Sequence, residues 1–125
     1  APLVPFAGYF GILTAGFLVG RTIDRYGYAL IYGQLTESGL TLSKLYRFPP
    51  RPDNSLLHYL FIKGEKMWEG EYVFSERPED LDAFMKAIRG EELWLAKWTD
   101  FSSQDSRRAV CVINPIPEIF TDSRA

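Results

Sequence analysis

The chain holds one histidine and one cysteine, His58 and Cys111. A thiol within hydrogen-bond reach of an imidazole is a ready nucleophile and base. Cys111 lies in AVCVI, however, an apolar run in which a free cysteine packs as a small hydrophobe, so the dyad is declined. The single copies also exclude chemistry. One histidine leaves no two-histidine metal site, and one cysteine leaves neither an intramolecular disulfide nor a multi-cysteine zinc site. No metal, cofactor or catalytic residue is assigned.

Carboxylates are the next candidates. Glu69, Glu71, Glu76, Glu79, Asp80 and Asp82 make the middle of the chain acidic and could do acid–base or metal chemistry if a cleft gathered them. Two of them flank a glycine on one strand face. Three more sit at a helix start, where the positive end of the macrodipole accounts for them. The third group is aromatic. Trp94 and Trp98 would share a strand face with Ala96, and Trp68 would lie near them. Rows of aromatic rings stack on bases or sugars, but nucleic acid would need interleaved cations, and only Lys97 is present, on the opposite face. Arg107 and Arg108 are too few for a basic patch. With 14 Lys and Arg against 16 Asp and Glu, the net charge of −2 also argues against a nucleic-acid partner. Trp68, Trp94 and Trp98 are therefore read as a candidate interface with a protein partner.

These residues must be positioned by elements the sequence marks unevenly. LLHYLFI (56–62) and KMWEGEYVF (66–74) flank KGEK and read as an antiparallel hairpin, with Trp68, Tyr72 and Phe74 on one face of the second strand. A helix follows. Pro78 stands near its first position, Glu79 and Asp80 lie in its first turn, Lys86 and Arg89 in its last, and Gly90 closes it. Leu81, Phe84, Met85 and Ile88 form one apolar stripe, so the helix is expected to cover a sheet face. ELWLAKW (92–98) and RAVCVI (108–113) read as two further strands. Earlier, YGYALIYGQL (26–35) and LTLSKLYRF (40–48) around TESG suggest a hairpin, although Tyr26, Tyr28 and Tyr32 would equally suit the interface of a membrane. FPPRPDN (48–54) reads as a stiff, Pro-rich linker, and the tail from Asn114 as an extended surface segment.

The front of the chain is unlike the rest. Its first 20 residues carry no charged side chain, although 24% of the chain is charged. By chance that would happen at roughly the half-percent level. Residues 2–20 have the length of one membrane crossing as a helix, with borderline hydropathy. On a helix Ala7, Gly11 and Ala15 fall at i, i+4 and i+8, and Gly16 and Gly20 form a small-xxx-small pair, a smooth strip for helix packing. Arg21 and Arg25 flank the segment at its C-terminal end and would hold the remainder on the cytoplasmic, matrix or stromal side. A phosphate-binding reading of the same glycines fails, since the lysine of GxxxxGK[ST] is missing.

The fold expected on this basis is α+β: a single N-terminal transmembrane helix followed by a small antiparallel sheet with one covering helix. The divisions are an anchor helix at 1–25, an interfacial segment or hairpin at 26–47, the linker at 48–54 and a small α+β domain at 55–125. The matching function is a structural accessory or assembly subunit of a multi-subunit membrane complex, with the lipid bilayer and other subunits as partners. Analogy places it in the mitochondrial inner membrane, in a respiratory or ATP-synthase complex, with its domain on the matrix side. Two other readings stay open. One is a soluble α+β or β-barrel-like binding module for a small apolar ligand, in which residues 6–35 supply core strands. The other is a small hydrolase or transferase built on acidic residues.

Overall fold

A computed structural model describes residues 6–37, 39–47, 56–75, 77–98 and 106–111. The chain runs as β1 (Phe6–Ile12), β2 (Phe17–Asp24), β3 (Gly27–Leu35), β4 (Gly39–Tyr46), β5 (Leu56–Lys63), β6 (Trp68–Ser75), α1 (Pro78–Ile88) and β7 (Arg107–Cys111). Every strand pairs antiparallel with its neighbour in sequence, so the seven make one meander with β1 and β7 at its edges.

The turns follow from local chemistry. Between β1 and β2 the chain reverses through a single 3-10 turn at Thr14–Gly16, where Ala15 and Gly16 take φ of 53° and 78°. Gly16 adopts that left-handed geometry without the penalty a side chain incurs. Between β2 and β3, Asp24 Oδ1 accepts the Tyr26 N–H at 2.7 Å, an Asx turn that fixes the hairpin. Thr36 Oγ1 accepts the Gly39 N–H at 3.1 Å in the turn from β3 to β4.

Strand alternation separates two faces. On one, Tyr32, Leu45 and Leu56 pack with Phe84 and Ala87 of α1, and Phe17, Val19, Leu30, Leu81, Met85, Ile88 and Trp94 extend the cluster. The stripe of α1 is thus spent on β3–β5. Fully burying a side chain such as Phe84 contributes about 1.5–3 kcal/mol. Gly90, at φ 77°, ends the helix and donates its N–H to Ala87 O at 3.0 Å.

The other face has no helix on it among the described residues, yet Leu18, Ala29, Ile31, Leu40, Leu42, Tyr46, Leu57, Tyr59, Phe61 and Ala109 are buried there as one cluster spanning β2 to β7. A flat sheet of twisted strands with nothing against it would leave them in water, so the sheet curls about this face. Glycine permits the curvature. A Cβ on Gly20 would overlap the carbonyl oxygen of Tyr9 and one on Gly33 that of Thr41, so the backbones approach more closely than a side chain allows.

This architecture corrects the expected fold. Residues 6–24 form β1, the turn and β2, not a transmembrane helix, and no helix among the described residues is long and apolar enough to cross a membrane. The membrane anchor, and with it the assignment to the mitochondrial inner membrane, falls. The apolar run was real, but it belongs to two strands whose register pairs Phe10 with Gly20 and Ile12 with Leu18. Residues 92–97 are not a strand either: they leave α1 as irregular chain. β4 pairs with β5, so one sheet spans both sides of the Pro-rich stretch. The linker at 48–54 and the tail from Asn114 lie outside the described residues.

Candidate functional site

The curled face is apolar except at one place. Asp24, the last residue of β2, and Lys44, on β4, point into it and form an ion pair with Lys44 Nζ 3.2 Å from Asp24 Oδ2. Their side chains are only 2% and 4% exposed. The Tyr46 hydroxyl donates to the same Asp24 oxygen, while Oδ1 is committed to the turn. The ammonium of Lys44 also lies 4.9 Å from the centre of the Tyr46 ring and 5.7 Å from that of Tyr59, within cation–π range of both. Thr22, two residues before Asp24 on the same face, is buried, and its Oγ1 has no hydrogen-bond partner among the described residues.

Burying two opposite charges costs several kcal/mol per ion before their attraction offsets it, and an apolar pair of similar volume often serves stability as well. Packing therefore gives little reason for Asp24 and Lys44 to be there. Around them runs an aromatic lining: Tyr59 stacks on Phe61 with centroids 5.6 Å apart and touches Tyr72 at 5.5 Å, and Tyr26 meets Tyr46 edge-on at 6.4 Å. The half-buried members of this cluster are Phe10, Tyr26, Leu35, Trp68, Tyr72 and Cys111; Leu35 ends β3, and the others stand on β1, the β2–β3 turn, β6 and β7.

A second polar cluster sits on the other face, beneath α1. Ser43 Oγ lies 2.7 Å from His58 Nδ1, His58 Nε2 lies 3.7 Å from Asp80 Oδ2, and Ser75 Oγ donates to Asp80 Oδ2 at 2.7 Å. Serine, histidine and aspartate in line suggest hydrolysis, but Ser43 and His58 are 2% and 0% exposed, which leaves a substrate no approach. The Trp94 ring closes over His58 at 5.7 Å and meets Phe84 edge-on at 6.5 Å. Burial is the main cause that pushes His58 down to about 4, with Arg77 adding to it and Asp80 opposing. The imidazole is neutral at pH 7 and fastens the first turn of α1 to β4, β5 and β6.

The residues singled out from sequence scatter. His58 and Cys111 lie on opposite faces of the sheet, and burial pushes the Cys111 thiol up, so no dyad forms. Trp68 borders the curled face and pairs across strands with Cys111, whereas Trp94 packs under α1 and half-buried Trp98 follows it on irregular chain. Trp68 and Trp94 therefore lie on opposite faces of the sheet. Ala7 and Gly11 are on the outer side of β1, Ala15 and Gly16 in the turn after it, and Gly20 on the curled face of β2. Arg21 and Arg25 are exposed, Arg25 at the tip of the β2–β3 hairpin. Of the acidic set Asp80 is buried; Glu69 pairs with Arg108 at 3.5 Å and Asp82 with Lys86 at 3.0 Å. Among the described residues no group of His, Cys, Asp and Glu could hold a metal ion.

Asp24, Lys44 and Tyr46 were missed in the sequence. Twenty residues separate Asp24 from Lys44, and the one available hint was a lone lysine alternating with Leu42 and Tyr46 in a strand whose same-face neighbours are apolar. Compared with known proteins, the chain matches no family model, no curated protein and no solved structure.

Proposed function

We infer that the protein is a binding module whose curled sheet opens at its outer strands to receive a small, mostly apolar ligand against its aromatic lining, with the ligand's polar group directed to Asp24, Lys44 and Tyr46. These three are as buried as Ser43 and His58 and are reached only on that opening. The observation that supports this reading is the buried polar cluster on an otherwise apolar face, the combination of lining and orienting groups that small-molecule sites use. The Thr22 hydroxyl adds one more polar group on the same face. The half-buried Phe10, Tyr26, Trp68 and Tyr72 give the ligand its entry.

Titration with N-phenyl-1-naphthylamine, a neutral apolar fluorophore, tests the reading. Saturable enhancement of the probe is expected, with quenching of tryptophan emission through Trp68. Tyr72→Ala removes half-buried aromatic surface from the entry and should weaken the probe by about tenfold, the size of a truncated aromatic contact. A probe signal that rises linearly with concentration, or appears only with unfolded protein, would falsify the assignment.

A further inference from the structure

Thr22 stands on the curled face of β2, one strand in from the edge strand β1. It is 4% exposed, and its Oγ1 is buried without a hydrogen-bond partner among the described residues. A buried hydroxyl left unpaired destabilises a fold, whereas a valine of the same shape would suit the strand equally and bury only methyl groups. Packing therefore gives no reason for a threonine here. The neighbours show why the hydroxyl is left over: across the strands Thr22 pairs with Gly8 on β1 and with Ala29 on β3, neither of which has a polar side-chain atom. Its methyl group lies over Gly8, where an added Cβ would come within 2.8 Å of it. Ala29 in turn pairs with Tyr46 on β4. The Tyr46 hydroxyl reaches Asp24 on β2, so its ring passes over β3 and ends near the strand that holds Thr22.

The charge of this face is already balanced. Among the described residues its buried charges are Asp24 and Lys44, one of each sign and 3.2 Å apart. The Tyr26 N–H and the Tyr46 hydroxyl also donate to the carboxylate. A ligand with an ionised head would bring in a third charge without a counter-charge, and nothing would offset the loss of its water. An uncharged head avoids that loss. A hydroxyl suits Thr22 in particular, because it can donate to Oγ1 or accept from it, whereas a carbonyl can only accept.

We propose that Thr22 selects the ligand, an uncharged apolar alcohol whose hydroxyl bonds Thr22 Oγ1 beside the cluster of Asp24, Lys44 and Tyr46 and whose hydrocarbon part lies against the aromatic lining. This rests on the binding-module reading and adds to it the charge of the ligand's polar group and the residue that recognises it. Decan-1-ol and decanoate share a chain and differ in the head, so their affinities are compared at pH 7.5 by competition against N-phenyl-1-naphthylamine. Decanol should bind about tenfold more tightly, because decanoate is ionised there. Thr22→Val removes the hydroxyl and keeps the shape. It should weaken decanol about fivefold, the worth of one neutral hydrogen bond, and leave the fluorophore within about twofold. Without ligand the same variant should melt about 3–5 °C higher than the wild type, since the stranded hydroxyl is gone. Thr22→Ser retains the hydroxyl and should retain the decanol affinity. Equal or tighter binding of decanoate overturns the proposal and leaves the apolar site standing, as does a Thr22→Val variant that binds decanol unchanged or loses the fluorophore equally. A Thr22→Val protein that melts lower than the wild type also overturns it, by showing that the hydroxyl already has a partner within the chain. If neither decanol nor the fluorophore binds, the binding-module reading falls and takes the proposal with it.

Discussion

Acid should weaken this fold through one imidazole. His58 is the chain's only histidine and is wholly buried between Ser43, Asp80 and Trp94. Its pKa is pushed from 6.5 down to about 4, chiefly by burial. For a base held below its unfolded value, the unfolded chain takes up the proton first. The stability is complete above pH 6.5 and drains away as pH falls from 6.5 towards 4. A difference of that size is about 3 kcal/mol once both limits are passed, and about 1 kcal/mol is already lost at pH 5.5. Small domains have a total of only about 5–15 kcal/mol, so the loss is large. Urea unfolding followed by tryptophan fluorescence at pH 7.5, 6.5, 5.5 and 4.5 measures it, with His58→Gln as the reference that cannot titrate there. The variant is expected to be less stable at pH 7.5 and to show a flatter profile between pH 6.5 and 5.5, where carboxylates contribute little. Parallel profiles for the two proteins across that interval would refute the reasoning, since they would show that the buried imidazole takes its proton as readily as a free one.

Other substitutions probe the remaining features. Lys44→Met strands a buried carboxylate and should cost about 3–5 kcal/mol in urea unfolding, while adding Asp24→Asn, which keeps the turn acceptor, should restore much of it. Gly20→Ala should cost about 2 kcal/mol or more because its methyl group would meet the backbone of β1, whereas Gly11→Ala has open space around it and should change thermal stability by less than about 0.5 kcal/mol. Reversed sizes would mean that the sheet is not curled as described. Native Cys111 should react with a disulfide reagent at pH 7.5 at least tenfold more slowly than in urea, given a thiol pushed up by burial.

Legibility in the sequence tracked how far each signal reached along the chain. The hairpin of β5 and β6 and the stripe of α1 stand out because a period of 2 and a period of 3.6 each repeat within a dozen residues. β1 and β2 lacked that contrast. On β2, Phe17 and Val19 extend the cluster beneath α1 while Leu18 enters the other core, so both faces are apolar and the alternation is erased. The uncharged turn at Thr14–Gly16 then joins two strands into what reads as a continuous apolar segment. The spacing of Ala7, Gly11 and Ala15 fits a helix numerically, yet Ala7 and Gly11 are equally in phase on a strand, and Ala15 is in the turn. Glycine mattered for curvature instead. The polar clusters were less legible still, because Ser43, His58 and Asp80 are brought together by the sheet and the helix, at separations that no local pattern encodes.

The meander has a consequence for how the chain is made. Each of β2 to β6 finds its partner in the strand just before it, so pairing can keep pace with elongation, whereas β7 must return to β6 across α1 and the chain that follows it. The helix α1 follows all six strands β1–β6 and covers a surface on β3–β5 that was built well ahead of it. Between emergence of Leu56 and emergence of Ile88, the apolar side chains of Tyr32, Leu45 and Leu56 face solvent on an otherwise formed hairpin array. A ribosome stalled in that interval would display an apolar surface that the finished fold buries, the kind of transient exposure that chaperones shield.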